Sequence, residues 1–254
     1  MSKRLLPIVA AAAMALAGVS AQAAFLPFQV TETSIPGALP NVINNVGKIN
    51  GTYTEALTIT GANTFAAQAT ADFGQLVNVN GAGLISQINN IGVNGYGLYA
   101  VFSASGTFVG TTFTGLTAAF SLYADPSQNT TKSVTTGLAA PILGGTADDF
   151  LLASSSTLFT GTGDTIGPPG AFDFIFNNFL LTAAGMAYFT DPIPFYMSVQ
   201  VNGDIDGFLA APGQTSLFTG DVSANFLRVP EPATLAIVGL GLLGIGLTRR
   251  RKAD

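Results

Sequence analysis

The chain contains no cysteine, no histidine and no tryptophan. Without cysteine no disulfide can hold the fold, so stability must come from burial and hydrogen bonding. The joint lack of cysteine and histidine excludes thiolate and imidazole metal sites, Ser-His-Asp and Cys-His catalysis, and the usual neutral-pH proton shuttle. Charge is scarce as well, at 9% of 254 residues. Of the basic residues, Lys3, Arg4, Arg249, Arg250, Arg251 and Lys252 stand near the two ends. Between them lie only Lys48, Lys132 and Arg228, against twelve acidic residues over positions 24–229. Such a body repels phosphate backbones and anionic membranes, which argues against nucleic acid as a partner.

What is present begins with a targeting pattern. Lys3 and Arg4 lead into an apolar run over residues 5–19, followed by Ala21-Gln22-Ala23. A basic start, a short apolar middle and an Ala-x-Ala end predict a signal peptide over 1–23, with Ala21 and Ala23 at the cleavage site. Residues 24–229 are then long enough for one exported all-β domain with a core of its own.

Composition and periodicity both point to strands. Gly, Ala, Thr, Ser, Asn and Phe dominate the body, while the Lys, Glu and Arg that surface helices favour are few. In TYTEALTIT (52–60), Tyr53, Glu55, Leu57 and Ile59 share one face and Thr52, Thr54, Thr58 and Thr60 occupy the other with Ala56. In TFAAQATADF (64–73), Phe65, Ala67, Ala69, Ala71 and Phe73 lie opposite Ala66, Gln68, Thr70 and Asp72. Further strands are expected over 97–108, 112–124, 172–182, 195–203 and 217–227. Asn50-Gly51, Asn80-Gly81 and Asn94-Gly95 suit tight turns, and Asp125-Pro126 and the Gly167–Gly170 segment suit strand ends. Residues 84–91 fit a helical turn or a strand, and 147–152 a capped helix start. The fold expected is a single β-sandwich or jelly-roll-like domain, with an N-terminal signal helix and a C-terminal transmembrane helix.

Candidate chemistry in the body is sparse. In NGDIDG, Asn202, Asp204 and Asp206 alternate before Gly207 as the first oxygen ligands of a calcium loop do, but position 213 holds glycine where a bidentate glutamate belongs. An acidic turn between strands is the competing reading. Asp148-Asp149 and Asp204-x-Asp206 are the close carboxylate pairs, and neither glutamate of the body, Glu32 or Glu55, sits in a catalytic pattern. No catalytic residue and no cofactor are therefore expected, calcium excepted. Tyr96, Tyr99 and Tyr123 could stack on sugar rings, although Tyr96 alternates with Leu98 and Phe102 as a core residue would. The triplet Asn129-Thr130-Thr131 is a glycosylation acceptor by pattern alone.

The tail has three parts. Pro230-Glu231-Pro232 fixes φ and withholds donors, so it reads as an extended, accessible hinge. Residues 233–248 carry no charge, and as a helix they would reach roughly 24 Å against a hydrocarbon core of about 30 Å. Arg249, Arg250, Arg251 and Lys252 follow directly and would hold that end on the cytoplasmic side, leaving the body outside. In this order the three parts resemble the PEP-CTERM sorting signal of exported Gram-negative bacterial proteins. The resemblance implies that an exosortase, a membrane-embedded cysteine transpeptidase-like enzyme, recognises Pro230, Glu231 and Pro232 and releases or transfers the body from a transient inner-membrane anchor.

Within the body, FQVTETSIPGA (28–38), TADFGQ (70–75), GYGLYAVFSASGTF (95–108) and FSLYADPSQNTTK (120–132) are similar to the flocculation-associated PEP-CTERM proteins of floc-forming bacteria. That similarity implies a non-enzymatic protein of the cell surface or extracellular matrix, with exopolysaccharide as partner and flocculation or biofilm formation as outcome. The alternatives are a lectin-like carbohydrate-binding module, with or without calcium, and a polysaccharide-processing enzyme.

Overall fold

A computed structural model describes residues 26–90, 94–164, 170–205 and 211–227. The predicted signal segment (1–23), Pro230 to Pro232, the apolar run 233–248 and Arg249 to Lys252 lie outside the described residues. Among the described residues no helix is long and apolar enough to cross a membrane.

The elements in chain order are β1 (Phe28–Thr31), β2 (Val42–Gly61), β3 (Thr64–Asn78), β4 (Gly97–Val109), β5 (Thr112–Asp125), β6 (Thr131–Ser133), β7 (Ile142–Gly144), β8 (Phe150–Ser155), β9 (Thr157–Asp164), β10 (Gly170–Asn177), β11 (Leu180–Leu181), helix α1 (Ala183–Tyr188), β12 (Phe189–Asp191), β13 (Ser198–Ile205) and β14 (Thr215–Leu227). The main sheet does not pack on a second sheet as a sandwich would. It runs β5-β4-β3-β2-β14-β13-β10-β9, and β9 pairs back onto β5 through Thr112–Asp164, Phe113–Gly163 and Thr114–Thr162. An eight-stranded antiparallel barrel results, correcting the expected sandwich or jelly roll. Period-two alternation is common to both architectures, because each has one buried and one wetted face per strand. What separates them is the closing pair, which lies some fifty residues apart in sequence.

The closing seam explains several glycines. A Cβ on Gly163 would lie 1.8 Å from the Phe113 ring, and one on Gly161 would lie 2.7 Å from Phe174. Rings from one strand thus fill the space that glycine leaves on its neighbour. Elsewhere alanines do the same: Ala67, Ala69, Ala100 and Ala104 face inward across from Phe102, Phe120 and Phe174. An eight-stranded barrel is just wide enough for side chains to fill, and small residues opposite large ones make them fit.

The two faces predicted for β2 and β3 are the observed ones. Tyr53, Leu57, Ile59, Phe65, Ala67, Ala69 and Phe73 are buried inside, while Thr52, Thr54 and Thr60 are exposed outside. Two local expectations fail. Asn50-Gly51 is a bulge within β2 rather than a turn, since the register with β3 shifts there. Residues 147–152 form a single 3-10 turn (Thr146–Asp148) and then enter β8, because Phe150, Leu151 and the buried Ala153 pair along β5. Asn80-Gly81 does turn, with Gly81 at φ +86°, and Asn94 takes φ +82°. Residues 84–90 are neither helix nor strand.

One end of the barrel, where β10 and β14 finish, is closed by rings. Phe28, Phe179, Phe189, Phe195 and Phe226 meet with centroid separations from 4.9 to 6.4 Å. β1, which pairs with β2 and β12, and α1 hold this stopper in place. Thr182 caps α1 by accepting from the Gly185 N–H at 3.1 Å.

Candidate functional site

Three places concentrate polar chemistry: the barrel interior, the buried ground under the aromatic stopper, and the outer wall. In the interior, alternation along β2 aims Glu55 into the lumen between Tyr53 and Leu57. Its register partners are Ala69 on β3 and Phe218 on β14. It lines a cavity of about 50 Å³ together with Tyr53, Phe65, Phe102, Phe174 and Phe218. The Tyr53 hydroxyl donates to the Asp204 backbone carbonyl at 2.5 Å, across the barrel wall. Among the described residues nothing donates to the Glu55 carboxylate. Burial without compensation disfavours its charged form and raises its pKa to about 7. Among the described residues the lumen therefore holds one carboxyl, close to half-protonation at neutral pH.

Glu32 is the opposite case. It is fully buried beside the stopper, and Oε1 accepts from Ser86 Oγ at 2.6 Å, the Gln87 N–H at 2.8 Å and the Tyr96 hydroxyl at 3.0 Å. Oε2 accepts from Asn41 Nδ2 at 2.6 Å and Gln87 Nε2 at 3.2 Å. The Tyr96 and Tyr188 hydroxyls lie 2.8 Å apart, and burial pushes both phenols up. Every lone pair that matters is engaged, so this carboxylate braces the loop 84–90 against β1 and has no free face for chemistry.

The outer wall carries polar rows set by register. Gln75, Asn50, Ser223, Asn202 and Asp173 are successive partners across β3, β2, β14, β13 and β10. Adjacent rows read Lys48, Asn225, Gln200 and Asp72, Thr52, Asp221. Four inter-strand steps span about 19 Å. Two shallow clefts on this wall share Ser223: one of about 310 Å³ reaches Lys48, Asn78 and Asn202, and one of about 550 Å³ reaches Asn50, Asp72, Gln75 and Asp221. A polar exterior around an apolar lumen is the reverse of the lipid-facing arrangement of outer-membrane barrels. Amide, hydroxyl and carboxylate groups in a row offer donors and acceptors of the kind that sugar hydroxyls match.

The excursion between β5 and β8 folds back over the outside of β3 and β4. It brings Asp125 to Asp148 and Asp149, with one oxygen of each within 4.8 Å of the others. Asp149 Oδ2 accepts from Tyr99 at 2.6 Å and Thr130 at 2.8 Å, whereas its buried Oδ1 has no partner among the described residues. Asp125 accepts from the backbone of Asn129 and Thr130. Lys132 lies 4.8 Å over the Tyr99 ring and 2.9 Å from Asp72.

The residues singled out from sequence fall as follows. Asn202 and Asp204 stand within β13, and Asp204 Oδ1 accepts from the Asp221 N–H at 2.5 Å; Asp206 lies outside the described residues. Tyr96 and Tyr99 are buried, so they serve packing, and Tyr123 stacks on Tyr99 at 5.1 Å. The pair Asp148-Asp149 gains Asp125 as a third member, from a position 23 residues upstream that no spacing rule marks. Glu55 was visible in the sequence as a carboxylate on an apolar face; that mismatch is the signal that locates it.

No curated protein and no solved structure matches the chain. The model of the PEP-CTERM protein-sorting motif matches residues 228–252, the segment that holds Pro230-Glu231-Pro232, the uncharged run and the basic cluster. The chain thus carries a PEP-CTERM protein-sorting motif, which supports export, membrane-anchored sorting and processing by an exosortase.

Proposed function

We propose that the barrel is a non-enzymatic component of the cell surface or extracellular matrix that holds exopolysaccharide and so promotes flocculation or biofilm formation. The observation that supports this most is the register-aligned polar wall: five strands present Gln75, Asn50, Ser223, Asn202 and Asp173 in one row. Each hydrogen bond exchanged with water contributes only about 1 kcal/mol. Repeated along a polymer that meets many copies of the protein, such contacts add to useful avidity. Exosortase processing supplies the outward placement that this role requires.

Two experiments test the reading. A producing strain lacking the chain should settle more slowly and form thinner biofilm; unchanged settling overturns the role. Combined Asn50→Ala, Asn202→Ala and Ser223→Ala should weaken retention of the protein on host exopolysaccharide by at least about tenfold; retention equal to the wild type moves the contact off this wall.

A second reading, a lectin-like module using calcium, is favoured by one observation, the buried Oδ1 of Asp149 that has no partner among the described residues, within the cluster formed with Asp125 and Asp148. A glycan array run with calcium and with chelator separates the two: one sharp, chelator-sensitive ligand selects the module, and diffuse binding indifferent to calcium selects the matrix role.

A further inference from the structure

The lumen of the barrel has no part in contact with a polymer, yet it holds a carboxyl to which nothing donates among the described residues. We infer that this cavity is a binding site for a small organic ammonium ion of methylammonium size, with Glu55 as its counter-charge and the surrounding rings as its walls.

The ligand class follows by elimination. An anion would face the Glu55 carboxylate with no cationic side chain to receive it. Lys48 belongs to the outer wall, Lys132 is engaged with Asp72 and Tyr99, and Arg228 lies outside the described residues. A calcium or magnesium ion needs six or more oxygen ligands, whereas Glu55 is the one carboxylate among the described residues that line the cavity. A purely apolar guest would leave the carboxylate as unpaired as before. An organic ammonium supplies both a charge and N–H donors to Glu55. Its methyl group and diffuse charge then meet Tyr53, Phe102, Phe174 and Phe218, whose ring faces attract cations most strongly where water is excluded.

Size narrows the class further. At about 50 Å³ the cavity holds a guest of a few heavy atoms, little more than the volume of one or two waters. The cavity extends to Phe65 and Phe113, each one residue inside a hairpin between barrel strands. Tyr53 is the one other titratable side chain along the lining, and β3, β4, β5, β10, β13 and β14 contribute only uncharged residues to it. The protonation of Glu55 alone then governs occupancy. Binding requires the carboxylate, so affinity is full above pH 8 and falls about a hundredfold by pH 5 for a group titrating near 7.

The test is calorimetric titration of methylammonium into the full chain purified in detergent, at pH 8 and pH 5, with methanol as the neutral guest of equal size. The expected result is saturable binding of methylammonium at pH 8, about a hundredfold weaker at pH 5, at least tenfold weaker in Glu55→Gln, and absent for methanol. No binding at pH 8, equal binding by Glu55→Gln, or methanol binding as well as methylammonium each overturns the inference. Should Glu55→Gln fold poorly, carboxyl NMR on the wild type decides: methylammonium must lower the Glu55 midpoint, and an unmoved midpoint overturns the assignment. Because retention on exopolysaccharide reads the outer wall and methylammonium reads the lumen, either result can fail without the other.

Discussion

Glu32 and Glu55 are the two glutamates of the body, and they occupy opposite electrical environments some twenty residues apart. Glu32 is buried more completely, yet five donors surround its two oxygens. Glu55 looks into an apolar lumen with none among the described residues. The difference teaches that burial alone does not decide what an interior carboxylate does: hydrogen-bonded, it is a brace, and unpaired, it is a receptor or a liability. Charged groups in low dielectric are tolerated when every lone pair is answered and are costly otherwise.

The sharpest way to break this contrast is to remove the brace. Glu32→Ala strands the Tyr96 hydroxyl, Asn41 and Gln87 amides and Ser86 hydroxyl inside the stopper. The expected loss is about 3–5 kcal/mol of unfolding free energy, since each stranded donor costs about 1–3 kcal/mol and the costs do not simply add; chemical denaturation measures it. Glu55 should behave in the reverse sense. Burial raises its folded pKa from the ordinary 4.5 to about 7, so the folded state keeps its proton after the unfolded state has lost it. Stability contributed by this group is unchanged below about pH 4.5, declines as pH rises to about 7, and is flat above. The decline amounts to roughly 3 kcal/mol at most. Glu55→Gln should flatten that profile and leave the protein more stable than wild type at pH 8; a steeper profile in the variant would contradict the unpaired carboxyl.

A third prediction tests the container. Gly163→Ala drives a methyl into the Phe113 ring at the seam that closes the barrel, and should cost about 1–3 kcal/mol in thermal or chemical unfolding. No loss would mean that the seam is open. The smallest effect belongs outside: Asp72→Asn breaks the pair with Lys132, where Asp72 is 53% exposed, and should cost less than about 1 kcal/mol, vanishing in high salt. Exposed carboxylates are inexpensive to lose, and the hydrogen-bonded interior one, Glu32, is not.

Much of this was legible in the sequence. The faces of β2 and β3 follow from alternation, down to Glu55 keeping company with Tyr53, Leu57 and Ile59. The sorting tail was legible from three parts in order, since hinge, apolar run and basic block each act through local chemistry. Closure was not, because the Phe113–Gly163 seam joins segments that no local period relates. Asn50-Gly51 misled for a related reason: a pair that tolerates positive φ also serves as a bulge when strands on both sides hold it in a sheet. Asp125 joined Asp148 and Asp149 only through the long excursion that follows β5. The bracing of Glu32 was equally hidden, because its donors come from residues 41, 86, 87 and 96.

The central claim, that the lumen holds a carboxyl unpaired among the described residues, is tested most directly by a ¹³C-carboxyl NMR titration of glutamate-labelled full chain. The sequence contains three glutamates, Glu32, Glu55 and Glu231, so the resonances are few, and Glu55→Gln assigns one of them. The account predicts a midpoint near 7 for Glu55. A midpoint at or below the ordinary glutamate value of about 4.3 would contradict it.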